Sequence, residues 1–371
     1  MRRMFSLRNV TAAHSLTLLV ILAPVAEVNL IAAQEESASP WEDAELQVLA
    51  DVVGEALRGE LIQYEDPFTL KSDFLKGEDG LAYVPFTVTL APESLGESSL
   101  AMLVYVTTQS DGQAVAPEPP DGNADAERLG LGLPTAIFQD AFFIDVSAAK
   151  AEDGPIVLSR AFAAPGGRYD LYVAIRDSMG DVDAGEGEAG GAEADPVDQA
   201  PPVLMVKSEV EVPNFWNGQL QASSLILAEV MEPLEQPLTP EEQSASPYSL
   251  GQVRIVPRQD SNVTQDDELS LVMLVYNATA TANQTPDLTI EYDYYKASDA
   301  GEEYFNRTAS QEINDETLYP GFDLGAGHQV VGGQSVPMTG FPEGAYRLQI
   351  TVTDNAGETD LVRELNFNVS Q

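Results

Sequence analysis

The stretch Pro165-Gly166-Gly167-Arg168-Tyr169-Asp170-Leu171-Tyr172-Val173-Ala174-Ile175-Arg176-Asp177 returns later in the chain as Pro342-Glu343-Gly344-Ala345-Tyr346-Arg347-Leu348-Gln349-Ile350-Thr351-Val352-Thr353-Asp354. A glycine stands three residues beyond each copy, Gly180 and Gly357, so the shared pattern is P-x-G-x-Y-x-L-x-[VI]-x-[VI]-x-D-x-x-G. Tyrosine, leucine and two β-branched residues fall on alternate positions. Successive side chains of a strand point to opposite faces, so the pattern describes a strand with one buried face. Tyr169, Leu171, Val173 and Ile175 are expected in one core, and Tyr346, Leu348, Ile350 and Val352 in another. Proline and glycine make the entry turn, and aspartate with glycine makes the exit turn.

A second segment also recurs: Ser99-Leu100-Ala101-Met102-Leu103-Val104-Tyr105 is matched by Ser270-Leu271-Val272-Met273-Leu274-Val275-Tyr276, with six of seven residues identical. Two anchors in the same order indicate a duplicated unit. Around them run further alternating segments, Leu81–Leu90, Ala136–Val146 and Leu288–Tyr295, punctuated by Gly, Pro, Asp and Asn. Many short strands of this kind indicate an all-β chain of two tandem antiparallel β-sandwiches. One segment has a different period. From Trp41 to Leu61, Leu46, Leu49, Val53, Ala56 and Leu57 recur at spacings of three and four, which predicts a short N-terminal amphipathic helix.

The expected organisation is a signal peptide over 1–33, an acidic segment with the helix over 34–63, a first sandwich over 64–231, a linker over 232–249 and a second sandwich over 250–371. Arg2, Arg3 and Arg8 precede the apolar run Leu16–Ala26, which is too short to span a bilayer and fits an export signal cut after Ala33. The protein is therefore expected in the periplasm or outside the cell, without a stable membrane anchor. Pro-, Gly- and acid-rich stretches over 109–134, 178–202 and 232–249 are expected not to pack.

The chain carries 60 Asp and Glu against 18 Lys and Arg, a net charge of −42 that excludes nucleic acid as a partner and favours cations or basic proteins. It has no cysteine and two histidines, His14 and His328, of which His14 lies in the export signal. Thiolate chemistry and two-imidazole zinc sites are thereby excluded, and a Ser-His-Asp triad would have to use His328.

At its anchors the chain resembles the immunoglobulin-like β-sandwich repeats of bacterial secreted proteins, which flank von Willebrand factor A-related domains or domains named for a GWxTD motif. The resemblance is carried by the two tyrosine-bearing strands, by Val212-Pro213-Asn214-Phe215 followed by Leu220–Leu227, and by Gly251-Gln252-Val253-Arg254-Ile255-Val256-Pro257. It covers most of 64–371 and implies an immunoglobulin-like fold. No GWxTD stretch and no full von Willebrand A domain are present, so it implies no activity.

Several residues invite a chemical reading, each beside a plainer one. Asp145-Val146-Ser147-Ala148-Ala149 is similar to a D-x-S-x-S metal motif, but Ala149 replaces the second serine, and a strand end with a turn explains it. Asp181, Asp183, Gly185, Glu186 and Glu188 could offer oxygens to calcium, or form a solvated loop. Asp177 and Asp354 could sit at a calcium junction, or close turns. Trp216, Tyr292, Tyr294 and Tyr295 could stack on sugars, or fill cores and cross-strand pairs. N-x-[ST] triplets at Asn262, Asn277, Asn283, Asn306 and Asn368 would be glycan acceptors in a eukaryotic secretory route, and the bacterial resemblance makes them incidental. The expectation is a non-catalytic protein without cofactor, metal or catalytic residues, acting by surface contact on a protein or glycan partner. The alternative is a carbohydrate-binding accessory or extracellular hydrolase that uses carboxylates.

Overall fold

The computed structural model describes residues 40–60, 66–96, 99–109, 131–147, 154–177 and 202–371. The signal expected over 1–33 and the acidic run from Asp181 to Glu188 lie outside them. The described residues fall into two compact units: one holds the chain up to Gln219 together with Gln236–Ser249, the other Leu220–Glu235 together with Leu250–Gln371.

The first unit carries helix α1 (Pro40–Leu57) and strands β1 (Thr69–Ser72), β2 (Leu75–Lys76), β3 (Ala82–Leu90), β4 (Ser99–Thr108), β5 (Phe138–Asp145), β6 (Ile156–Ala164), β7 (Gly167–Asp177) and β8 (Leu204–Val212). One sheet has the order β1-β3-β2 with β6 also on β3, and the other runs β5-β4-β7-β8. Tyr169, Leu171, Val173 and Ile175 of β7 are all buried, as the alternation requires. Tyr172 and Ala174, on the opposite face of β7, are buried as well. Helix α1 explains this, because Leu46, Leu49, Ala50 and Val53 pack against Ala101, Leu103, Tyr105, Tyr172 and Ala174. Each Leu or Val so covered contributes about 1.5–3 kcal/mol. The helix is also pinned by charge: Arg176 Nη1 lies 3.0 Å from Glu45 Oε2 in a largely buried ion pair.

The second unit carries β9 (Gln221–Ala222), β10 (Ile226–Pro233), β11 (Ser249–Leu250), β12 (Val253–Pro257), β13 (Asn262–Thr264), β14 (Glu268–Tyr276), β15 (Leu288–Ser298), β16 (Gly301–Arg307), β17 (Gln311–Ile313), β18 (Val330–Pro337), β19 (Gly344–Asp354) and β20 (Thr359–Ser370). Its sheets run β11-β12-β10-β14-β18, with β9 also on β14, and β13-β20-β19-β15-β16, with β17 on β15. Tyr346, Leu348, Ile350 and Val352 face the core between them.

The two units share one plan. In each, a strand pairs with the strand preceding the tyrosine strand (β3 with β6, β14 with β18), and the tyrosine strand lies between its other two partners (β4 and β8, β15 and β20). At the crossing between sheets, Tyr169 Oη donates to Pro165 O at 2.9 Å and Tyr346 Oη donates to Pro342 O at 2.5 Å. This tyrosine corner, with the two-sheet strand order, makes both units immunoglobulin-like β-sandwiches. It also shows what the tyrosine in P-x-G-x-Y does: its ring fills the core while its hydroxyl locks the crossover.

Three expectations need correction. The two apolar heptapeptides are not equivalent, because β4 pairs with the tyrosine strand β7, whereas β14 pairs with β18 in the sheet opposite β19. The partner of β14 in the repeat is β3. The heptapeptides look alike because residues of both parities are buried in each, including Val272, Leu274 and Tyr276 of β14, and two-sided burial makes any strand a continuous apolar run. Second, the unit boundary does not fall at 231. β10 is hydrogen-bonded to β14 with Ile226 opposite Val272, so the second sandwich starts at Leu220. Third, the linker over 232–249 packs at its C-terminal end, where Pro247, Tyr248 and Ser249 are buried. Helix α2 (Pro240–Ala245) opens on a capping box in which Thr239 and Glu242 satisfy each other's backbone amides. Tyr248 beyond it is buried and donates to Asp73 Oδ2 at 2.8 Å.

Two predictions follow from the buried tyrosines. Tyr169→Phe and Tyr346→Phe should each lower unfolding free energy by about 1 kcal/mol, read from urea midpoints, and unchanged midpoints would mean that the corner bonds are idle. Burial pushes the Tyr83 and Tyr105 phenols up to about 12. The unfolded chain ionises them near pH 10 and the fold holds their protons until about pH 12, so stability should fall as pH rises through that window. The slope should approach about 1.4 kcal/mol per pH unit for each tyrosine, measurable by urea titration between about pH 10 and 12.

Candidate functional site

The conspicuous carboxylates are those ending the tyrosine strands. Asp354 is 1% exposed, and both its oxygens are used: Oδ2 accepts from Thr279 N at 2.7 Å and Oδ1 from Gly357 N at 2.9 Å. A Cβ on Gly357 would stand 2.3 Å from Thr279 Oγ1 and 2.7 Å from Asp354 Oδ2, which is why glycine stands at this position. In the first unit, Asp177 Oδ2 accepts from Gly96 N at 2.7 Å. Gly96 lies between β3 and β4 and Thr279 between β14 and β15, so each aspartate ties the same loop of its sandwich to the end of the tyrosine strand. Charge-assisted bonds of this type are about twice as strong as neutral ones. Asp177 and Asp354 are loop clamps.

His328 is placed against use in a triad. A catalytic imidazole donates from Nδ1 to a carboxylate. Here Nδ1 accepts from Asp323 N at 2.9 Å, so the neutral ring carries its proton on Nε2. The ring packs beside Tyr319 and Phe322, with centroids 5.8 and 5.5 Å away. Asp323 itself caps the short turn Leu324–Ala326 through Gly325 N and Ala326 N. Asp145 accepts from Ser147 N at 2.8 Å, and the Ser147 bonds hold its carboxyl below the usual range, the geometry of a strand-end turn. Among the described residues, no group of three or more His, Asp and Glu is placed to hold a metal.

The aromatic candidates separate. Tyr292 and Tyr294 are core residues whose phenols burial pushes up. Trp216 is 47% exposed, yet its indole N–H donates to Leu81 O at 2.9 Å and Lys76 Nζ sits 4.3 Å from its ring centre. Tyr295 faces outward, 5.9 Å from Tyr304 on β16, and the Arg347 guanidinium stacks 4.4 Å from its centre. Arg347 is in turn held by Glu302 at 2.8 Å and Glu364 at 2.7 Å, on strands to either side. Beside it is a shallow cleft of about 220 Å³ lined by residues including Ser261, Glu302, Arg347, Asn366 and Asn368. Sequence reasoning missed this group. Its signal was the outward parity of Arg347 in the tyrosine strand, whose neighbours across the sheet only the register supplies.

No family model matches the chain, and no curated protein matches it. Among solved structures, an immunoglobulin-like protein from Pseudomonas aeruginosa aligns with a TM-score of 0.19 and 14% identity over 40% of this chain and 97% of that one. Trypsin-activated α2-macroglobulin from Escherichia coli aligns with a TM-score of 0.20 and 11% identity over 82% of this chain and 17% of that one. Both overlaps are too small to carry an argument, and the fold rests on strand order and the tyrosine corners. The expected association with von Willebrand A-related or GWxTD domains gains no support from a family model; its coarser part, the immunoglobulin-like sandwich, holds.

Removing the second clamp isolates its role. Asp354→Ala should cost about 1–3 kcal/mol by stranding the Thr279 and Gly357 amides, and Gly357→Ala a similar amount by overpacking. Calcium at millimolar concentration should leave the wild-type urea midpoint unchanged; a rise would turn the clamp into an ion site.

Proposed function

We propose that this chain is an exported, non-catalytic β-sandwich protein that acts by surface contact, as a scaffold, adhesion or envelope-complex component. The observation that carries this reading is how the second unit spends its few cations. Arg347 is held by Glu302 and Glu364, Arg307 by Glu291 and Asp293, Arg258 by Glu229 and Arg254 by Glu232. With acids outnumbering bases 60 to 18, the field projected outward is negative. Such a field steers and holds basic surfaces, and it is screened within about 10 Å at 0.1 M salt. The export part of the proposal is supported by the basic, then apolar, sequence of the first residues. No helix among the described residues is long and apolar enough to cross a membrane.

A second reading, a carbohydrate-binding accessory, is favoured by one observation: Tyr304, 60% exposed, stands with Tyr295 and Arg347 beside the polar cleft. The two readings part in one experiment. Photocrosslinkers placed at Tyr304 and at Glu303 in cells should capture a basic envelope protein, with association lost at roughly 0.5 M salt, where charge is screened within about 4 Å. Binding to a glycan array that survives this salt would replace the first reading with the second. Protein confined to the cytoplasm with Met1 intact would end both.

A further inference from the structure

The described residues of the second unit hold all eight asparagines that follow Leu220, and five of the eight head an N-x-[ST] triplet. Serine and threonine occupy about one position in seven there, so about one such triplet would arise by chance. The count and the placement of these triplets carry the argument.

We infer that the second sandwich is N-glycosylated, with Asn262, Asn283 and Asn306 the principal acceptors. All three side chains are exposed and each heads an N-x-T triplet, with Thr264, Thr285 and Thr308 at the third position. Asn262 opens β13 directly across from Asn368 on β20, and its Oδ1 accepts from Asn368 Nδ2 at 3.1 Å. That bond engages the amide nitrogen of Asn368 as donor and leaves the nitrogen of Asn262 as the nucleophile of the pair. Asn283 sits in the turn between β14 and β15, where its Nδ2 makes only a long 3.3 Å bond to the exposed Asp315. Asn306 lies on β16, the terminal strand of its sheet, next to the register shift at Tyr294 and Tyr295. Asn277, half-buried in a left-handed conformation with φ of 58°, is a lesser acceptor.

The donor is a lipid-pyrophosphate-linked oligosaccharide presented by a membrane oligosaccharyl transferase. Transfer forms a bond from Asn Nδ2 to the anomeric carbon and breaks that carbon's bond to the pyrophosphate oxygen. Lipid pyrophosphate leaves and the amide gives up one proton, with no change of oxidation state. A glycan on Asn306 would also block a bare strand edge from pairing with another chain, a protection edge strands need.

This inference rests on the export proposed above, since the acceptors must reach the donor's side of the membrane. The test is mass spectrometry of the protein purified from its own cells and medium, with peptides spanning all five asparagines. Peptides bearing Asn262, Asn283 and Asn306 should carry a sugar mass. Asn262→Gln and Thr264→Ala should each abolish the first, while urea midpoints of the two variants confirm folding. Exported, leader-cleaved protein with all five asparagines unmodified overturns glycosylation and leaves export standing. Protein kept in the cytoplasm with its leader uncut overturns both.

Discussion

Each sandwich depends on fixing one strand at both ends while burying one of its faces. At the start of β7 and β19 a tyrosine hydroxyl returns to the carbonyl of a proline four residues earlier. At the end an aspartate carboxylate takes a backbone amide from the loop that crosses between the sheets. Four inward side chains lie between these ties. The ties set the crossing points and the four side chains set the separation of the sheets, so the remaining strands dock on a frame that has one register available. A one-residue slip would turn the tyrosine outward and open both ties together, which makes the register cooperative.

The period-two alternation made this frame legible in the sequence, down to the eight inward residues, because a half-buried strand leaves no other pattern. The hydroxyl bond and the clamp were not legible. Both join side chain to backbone across a turn, and the pattern fixes residue type without partner. The heptapeptides misled for a related reason: sequence records whether a strand is covered on one face or two, and Ser99–Tyr105 and Ser270–Tyr276 are covered on two in different sheets. Helix α1 supplies the second cover for β4, and its three- and four-residue spacing had announced it. The packing of 236–249 was half legible. Thr239-Pro240-Glu241-Glu242 spells a capping box, but the proline and glutamate content of the surrounding stretch argued for a linker, and Tyr248 anchoring on buried Asp73 is a contact across the sequence that composition cannot show.

The acid excess bears on the same frame. A chain with so many carboxylates folds only if repulsion is kept to solvated faces, and each buried aspartate among the described residues is engaged by a donor through at least one oxygen. Asp354 and Asp177 accept backbone amides, Asp73 accepts Tyr248, and Asp293 accepts the Arg307 guanidinium. Burying a charge costs several kcal/mol unless donors replace the lost water; a backbone amide does this at Asp177 and Asp354, a tyrosine hydroxyl at Asp73 and a guanidinium at Asp293. Arg347 and Arg307 are likewise placed where two acids meet, Glu302 with Glu364 and Glu291 with Asp293.

The two units differ in what covers the outside of the tyrosine sheet, and this difference directs where function can lie. In the first unit α1 seals that face, and β7 is buried on both sides along most of its length. In the second, β19 alternates strictly between buried and half-exposed, so Arg347, Gln349, Thr351 and Thr353 look outward. The sheet that repeats the fold most faithfully is therefore the one whose outer surface is free to diverge. Tyr295, Tyr304 and the glutamate-held Arg347 occupy that surface, and Asn262, Asn306 and Asn368 lie on the strands of the same sheet. Packing constrains the inner residues of β19 to the pattern shared with β7, whereas nothing in the corner or the clamp constrains the outer ones. The frame thus holds its shape while the outward parity of the same strand carries the chemistry that distinguishes this sandwich from its neighbour.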